Sequence, residues 1–324
     1  MDDSFISLLR PFPGGVVERL QSEGFTNIYC NPHKRRLARD KIIDVSKGAV
    51  GIMIAPGDTM IDAAFLDAVG SQLRVISCYA VGYDKIDLNE TVQRGVAVGH
   101  TPHAPTEATA DCTWLLLLGA ARGATWGNQL VRSGDWKGVG PNDRLGQELT
   151  GQTILIVGAG RIGTAVARRA LAWQMKIIYA SKSRKPHLEA APYYAQRVEL
   201  DAGIAHADVV TLHCPLTPET HHLIDAERLD RFKPGAIIVN TARGELIDEA
   251  ALVEALKNGR LHAAGLDVYE NEPNVQAGLL DLDNVFLLPH LGSATKSARQ
   301  WMSDLAITNL IAGIRGEAIP YEAT

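Results

Sequence analysis

Residues 154–163 read Ile-Leu-Ile-Val-Gly-Ala-Gly-Arg-Ile-Gly, and this stretch decides the fold. A run of branched apolar residues suits a strand buried on both faces, and it ends abruptly in glycines. In a Gly-x-Gly-x-x-Gly turn, Gly158 permits the tight bend, Gly160 lets backbone approach a pyrophosphate, and Gly163 lets helix and strand pack closely. Arg161 and Ile162 then open a helix whose free N–H groups and positive dipole end face the anion. Glycine turns are common, so the context matters. Here Ile162, Val166, Ala167 and Ala170 repeat at helical spacing, and Met175–Tyr179 supplies a second strand that closes a βαβ unit. We expect a dinucleotide there.

Outward from this unit the α/β alternation continues in both directions. Upstream, Ser4–Leu9, Asn27–Tyr29, Val50–Ile54, Arg74–Ser77 and Val96–Val98 read as strands, with Val16–Ser22, Leu37–Val45 and Ile61–Val69 as helices between them. His100-Thr-Pro-His-Ala-Pro105 breaks the pattern with two prolines and marks a domain crossover. A long helix opens at Thr106 and becomes apolar nearly all round, so it should be buried. The turn-rich stretch 132–142 reads as an excursion. Downstream, Val209–Leu212, Ala236–Asn240, Ala263–Asp267 and Val285–Leu288 read as strands. Helices are expected over Asp248–Asn258, with Asp248 as cap and Gly259 as stop, and from about Ala294 to Gly313.

Composition sets the bounds. A chain of 324 residues suggests two domains at roughly 150 residues each. With 46% hydrophobic and 21% charged residues it can bury a sizeable core. A net charge of −5 gives no reason to expect nucleic acid or an anionic membrane as partner. Cys30, Cys78, Cys112 and Cys214 lack metal-ligand spacing, so we expect no metal and read them as free thiols in a reducing compartment. The opening MDDSFISLL lacks a basic, apolar leader, and Trp114–Ala121 falls far short of the ~20 residues that span a bilayer. These features point to a cytoplasmic protein.

Three stretches follow predicted strands, where an open α/β sheet binds ligands. In the first, Arg243 lies just past a strand and can grip a carboxylate or carbonyl oxygen; the alternative is a surface ion pair. The second, 265–273, offers Asp267, Glu270 and Glu272; the alternative is a solvated acidic loop. The third places His290 between a strand and a glycine turn, suited to a general acid near neutral pH, although a lone histidine is often structural. Together they form a hydride-transfer kit.

At this point the chain resembles the D-isomer-specific 2-hydroxyacid dehydrogenase family, and within it glyoxylate/hydroxypyruvate reductases. The resemblance spans essentially the whole chain. It rests on Thr106-Glu-Ala-Thr-Ala-Asp111, Gly158-Ala-Gly-Arg-Ile-Gly163, Cys214-Pro-Leu-Thr217, Asn240-Thr-Ala-Arg-Gly244, Gly265-Leu-Asp-Val268 with Glu272-Pro273, and Pro289-His-Leu-Gly-Ser293. It implies two doubly wound, Rossmann-like parallel-sheet domains. Residues 1–102 and 294–324 would form an outer, flavodoxin-like substrate domain, and 103–293 an inserted dinucleotide domain, with the active site in the cleft. It also implies a homodimer, mainly through about 104–148. By the same resemblance His290 protonates the carbonyl oxygen of a 2-oxo acid, Arg243 binds that oxygen and the carboxylate, and Glu272 bonds His290. The backbone N–H groups of Val81 and Gly82 would meet the substrate carboxylate. Asp267 would hold the nicotinamide amide, and Thr106, Cys214, Pro215, Thr220, Thr241, Ala242, His290 and Gly292 would line the cofactor.

Two departures stand out. His103 replaces the usual glycine of the hinge motif. After Tyr179, Ala180-Ser-Lys-Ser-Arg-Lys185 lacks the acidic residue that commonly accepts the ribose hydroxyls. Ser181, Lys182, Ser183 and Arg184 suit a 2′-phosphate instead, so we expect NADP(H) to be preferred with NAD(H) possible; the alternative is a solvated basic turn. Competing functions are a D-3-phosphoglycerate dehydrogenase, disfavoured because the chain stops after its closing helix and lacks an Arg/Lys cluster near Val81, and a dinucleotide-sensing corepressor, disfavoured by the lack of long tails. The pocket for the substrate's R group is expected from distant loops, among them 53–57 and 301–302.

Overall fold

In the computed structural model, which describes residues 2–323, the chain divides into two compact units. One runs up to Pro105 and resumes at Ala294; the other is Thr106–Ser293.

The outer unit is built on five strands, β1 (Ile6–Leu8), β2 (Ile28–Cys30), β3 (Gly51–Ile54), β4 (Val75–Cys78) and β5 (Ala97–Gly99). All neighbours pair in parallel, in the order β2-β1-β3-β4-β5. Alternation along the strands feeds two cores. Ile52, Ile54 and Ile76 pack with Phe65 and Leu66 of the helix Ala63–Val69 on one face. Met53 and Val75 pack with Leu310 and Ile314 of the helix Lys296–Arg315 on the other. That helix seats closely because Gly313 has no side chain, where a Cβ would stand 2.5 Å from Val75 Cβ. The Ser77 hydroxyl donates to the Ala306 carbonyl at 2.8 Å and fixes the register.

The second unit carries seven strands: β6 (Thr153–Val157), β7 (Lys176–Ala180), β8 (Gln196–Arg197), β9 (Val209–Leu212), β10 (Ala236–Asn240), β11 (Leu261–Leu266) and β12 (Val285–Leu287). They are parallel throughout, ordered β12-β11-β10-β9-β6-β7-β8. The sheet grows from β6 toward β8 and then starts again on the other side with β9. The glycine turn therefore leaves the sheet at its switch point, where doubly wound folds bind ligands. The apolar run explains itself: Ile154 and Ile156 serve one core, Leu155 and Val157 the other. The helix Thr106–Ala121 lies over β10 and β11, buried through Ala110, Leu116, Leu117 and Ala120, with Leu115 left 53% exposed.

Element limits depart from expectation at a few points. The long helix stops at Ala121, and a separate helix, Ala124–Ser133, follows Gly123, whose φ of +62° breaks the first. The closing helix begins at Lys296, because the Thr295 side chain caps it by accepting from Ala298 N–H at 3.1 Å. Asp248 caps its helix as expected, accepting from Ala251 N–H at 3.0 Å, and Gly259 follows that helix at φ +75°. Among the described residues no helix is long and apolar enough to cross a membrane, no His/Cys/Asp/Glu group is arranged to hold a metal, and all four cysteines are free.

Candidate active site

The glycine turn divides its three tasks as the spacing implies. Gly158 sits at φ +93°, and a Cβ there would lie 2.5 Å from Cys214 N. At Gly163 a Cβ would meet the Gly158 carbonyl oxygen at 2.3 Å, so helix Arg161–Ala170 can approach β6 only with glycine. Gly160 differs: a Cβ would point into open space, with nothing within 4 Å. Packing within the protein therefore does not demand glycine there, and the bare backbone leaves room for the close approach that a pyrophosphate needs. The turn fits a dinucleotide.

His290 is held by Asp267. The Asp267 carbonyl accepts from His290 N–H at 2.8 Å, and its carboxylate accepts from Leu291 N–H at 2.6 Å and Gly292 N–H at 2.7 Å. Three successive N–H groups thus converge on one residue at the end of β11, itself 1% exposed. They hold His290 at φ +57°, a left-handed backbone that non-glycine residues rarely adopt. Burial pushes the Asp267 carboxyl upward, while the Leu291 and Gly292 N–H groups oppose the rise. The imidazole is 41% exposed, and Nδ1–H donates to Glu272, 2.9 Å from Oε2 and 3.2 Å from Oε1. Nε2 is left as the nitrogen that can pass a proton. Burial works to raise the Glu272 carboxyl, but the bond and charge of His290, the Tyr269 N–H and the Arg243 charge outweigh it. Its pKa therefore lies below the ordinary value.

Arg243 follows β10 on a turn built by Asn240. The Asn240 side chain accepts from Ala242 N–H at 3.0 Å and donates to the Arg243 carbonyl at 2.7 Å. Gly244 then lays this turn on the loop beyond β11: a Cβ there would be 1.9 Å from Tyr269 C. Thr241 shares a 2.9 Å hydroxyl contact with Thr113 of the helix Thr106–Ala121, which ties that helix to the turn. Of the three acids in 267–272, Asp267 holds the loop and Glu272 holds His290. Glu270 instead pairs with His222 through Nε2.

Around the cofactor turn, burial raises the Cys214 thiol to about 11 and lowers its neighbour His213 to about 3, so neither is charged near neutrality. Thr220 accepts from Thr217 N–H at 2.7 Å and donates to the Pro215 carbonyl at 2.8 Å, which closes the loop after β9. Thr106 begins its helix. Val81 and Gly82 lie in the outer unit, in the loop after β4, where the Val81 carbonyl is 2.9 Å from His100 Nδ1. His103 stands at φ +71°, which accounts for glycine being usual there. Met53 and Met302 are 0% and 2% exposed and pack in the outer unit's core, whereas Trp301 is 48% exposed.

The basic turn after β7 is more structured than its sequence suggests. Arg184 pairs with Glu189, and Glu219 feels the Lys182 charge, so two acids stand near a loop that has none of its own. Arg197 of β8 donates to the carbonyls of Ser181 and Lys182. The structural roles of Tyr179, Glu189, Arg197 and Asn240 were not legible in the sequence. Only the Tyr within an otherwise aliphatic strand offered a hint, since a buried hydroxyl needs a partner.

Residues 114–292 match the family described as D-isomer specific 2-hydroxyacid dehydrogenase, NAD binding domain. A glyoxylate reductase of Pyrococcus horikoshii is 47% identical over 319 residues, 97% of this chain and 94% of that protein. A solved structure from Thermus thermophilus superimposes with a TM-score of 0.91 at 42% identity, covering 98% of this chain and 99% of the other. The NADPH-dependent glyoxylate/hydroxypyruvate reductase of Sinorhizobium meliloti, solved with NADP and malonate, gives 0.85 at 31% identity, covering 100% and 97%. The architecture, the dinucleotide turn and these likenesses agree: the chain belongs to the D-isomer specific 2-hydroxyacid dehydrogenase family and is an NAD(P)-dependent oxidoreductase.

Proposed function

We propose that the enzyme reduces a small 2-oxo acid of the glyoxylate or hydroxypyruvate type to its D-2-hydroxy acid, prefers NADPH, and uses His290 as proton donor. The observation that carries this reading is the His290–Glu272 pair, with His290 fixed through its backbone by Asp267. A reduced nicotinamide, when bound, supplies the hydride for C2 of the acid. The residues of this chain do the rest. Nε2 of His290 gives its proton to the carbonyl oxygen as charge develops there, while Glu272 holds the ring through Nδ1 and balances the imidazolium. Arg243 grips the carboxylate and the carbonyl oxygen by paired N–H groups. Val81 and Gly82 offer backbone N–H groups to the carboxylate. Asp267 accepts from the nicotinamide amide through a lone pair not used by its loop bonds. Gly158, Gly160, Arg161, Ile162 and Gly163 hold the pyrophosphate, and Ser181, Lys182, Ser183 and Arg184 the 2′-phosphate.

The names of the relatives support the substrate class, since both the archaeal and the bacterial protein are glyoxylate reductases. We further propose a cytoplasmic location, in keeping with the four free thiols, and a homodimer, supported by the exposed apolar side chains Leu115, Val131, Trp136, Val139 and Leu145 within 104–148. Steady-state assays of glyoxylate, hydroxypyruvate, pyruvate and bulkier 2-oxo acids with both cofactors test the reading, with His290→Ala as the control. That variant should lose about 10²–10⁴-fold in turnover while keeping cofactor affinity. A folded His290→Ala protein with normal turnover would remove the assignment, and a preference for NADH would remove the cofactor choice.

A further inference from the structure

Among the described residues Tyr179 is the largest fully buried side chain, and its hydroxyl serves two partners beyond the end of β7. It donates to Glu189 Oε1 at 2.6 Å and accepts from Lys185 N–H at 2.8 Å. The second oxygen of Glu189, Oε2, accepts from Arg184 Nε at 2.5 Å. At the other end of the turn, Arg197 donates to the Ser181 carbonyl at 3.0 and 3.2 Å and to the Lys182 carbonyl at 3.3 Å. The basic turn is thus tied at both ends to the sheet, and one of its cations is tied through a carboxylate.

The bond to Glu189 uses the Nε donor of a guanidinium that has five N–H groups, so the four on its terminal nitrogens are not consumed. Glu189 itself is only 18% exposed, whereas Arg184 is 73% exposed. An arginine that reaches into solvent loses the freedom of several rotatable bonds when it grips an anion. One already docked on a fixed carboxylate has lost part of that freedom beforehand. The carboxylate carries charge that would repel a phosphate, but that charge is spent on Arg184 and on the Tyr179 hydroxyl. The Tyr179 bond comes first, followed against burial by Arg184, in keeping Glu189 below the ordinary carboxylate pKa.

We propose that Glu189, anchored by the buried Tyr179, positions Arg184 to receive the 2′-phosphate of NADP(H), so that these two residues determine cofactor choice without touching the cofactor. This rests on the NADPH preference proposed above. Binding of 2′,5′-ADP and of 5′-ADP, measured by calorimetry without substrate, separates the two claims. Wild type should bind 2′,5′-ADP more tightly; equal binding of the two nucleotides overturns both the preference and the positioning role. If wild type discriminates, Glu189→Ala should weaken 2′,5′-ADP roughly 10-fold and leave 5′-ADP within about twofold. Tyr179→Phe should act in the same direction. In an Arg184→Ala background, Glu189→Ala should have no further effect. Unchanged or tighter 2′,5′-ADP binding by Glu189→Ala would show a carboxylate that is neutral or repels the phosphate and would overturn the positioning role alone. So would an equal loss with and without Arg184.

Discussion

Asp267→Asn is the substitution that asks most of this structure. The side chains differ by one atom, so packing is conserved. The carboxylate, however, accepts from two N–H groups through two different oxygens, Leu291 at 2.6 Å and Gly292 at 2.7 Å. An amide presents one oxygen and one NH₂, and whichever way it turns, a donor faces a donor. Hydrogen bonds to a charged group contribute roughly 1.5–3 kcal/mol each, and leaving a buried N–H unpaired removes that contribution in full. At 1% exposure water cannot replace the lost acceptor. The expected loss of stability is therefore about 2–4 kcal/mol. The effect on rate follows from the same geometry. His290 stays at φ +57° because its own N–H and the next two are held by Asp267. Release of one of the three lets the backbone relax toward an ordinary conformation and moves the imidazole. A displacement of about 1 Å in a reacting group can cost ~10²-fold. Urea unfolding followed by circular dichroism reads the first effect, and kcat with saturating glyoxylate reads the second. An Asp267→Asn protein with wild-type unfolding midpoint and kcat would refute the view that this carboxylate builds the loop.

Three other outcomes follow from the site. Arg243→Lys keeps the charge but loses the planar fork, so KM for glyoxylate should rise and kcat fall; unaltered kinetics would reduce Arg243 to a structural role. Gly244→Ala would put a methyl 1.9 Å from the backbone carbon of Tyr269, which cannot step aside, and should destabilise by about 3 kcal/mol; a soluble variant of normal stability would contradict the close approach. Glu272 has its folded pKa lowered below 4.5, so the stability it contributes is complete above 4.5 and is lost as pH falls through the lowered value. The gap in urea midpoint between wild type and Glu272→Gln should accordingly close on acidification, and a gap that persists unchanged into strong acid would count against the coupling.

The parts legible beforehand share one property: a local string is enough to define them. Ile154–Val157 needs two apolar cores, one for each face, and the run announces this directly. The glycine spacing states its own geometry, and Arg243, Glu272 and His290 each stand beside a strand end that periodicity locates. What stayed hidden depends on distance along the chain. Asp267 bonds Leu291 and Gly292 from 24 and 25 residues away, so its structural task has no local signature beside the ligand role that resemblance suggests. The strand Gln196–Arg197 is two exposed polar residues long and carries no hydrophobic pattern, yet Arg197 ties down the turn after β7. The break at Gly123 is set by a single left-handed residue within a largely apolar stretch.

The cofactor loop shows why local absence and spatial absence must be separated. No acid occurs in Ser181–Lys185, which argues for a phosphate over a ribose hydroxyl. In the fold, Glu189 nevertheless reaches Arg184 at 2.5 Å, and Thr217 holds Glu219 within influence of Lys182. Whether such acids oppose or assist a 2′-phosphate depends on what their oxygens already bind. Glu189 has Oε1 on the Tyr179 hydroxyl and Oε2 on Arg184, so it is bound to the donors that a ribose would otherwise have to replace. An acid at the strand end would offer its oxygens to the ribose; this one offers an arginine. On the positioning role proposed above, cofactor choice turns on the direction of this carboxylate, which the buried Tyr179 hydroxyl holds.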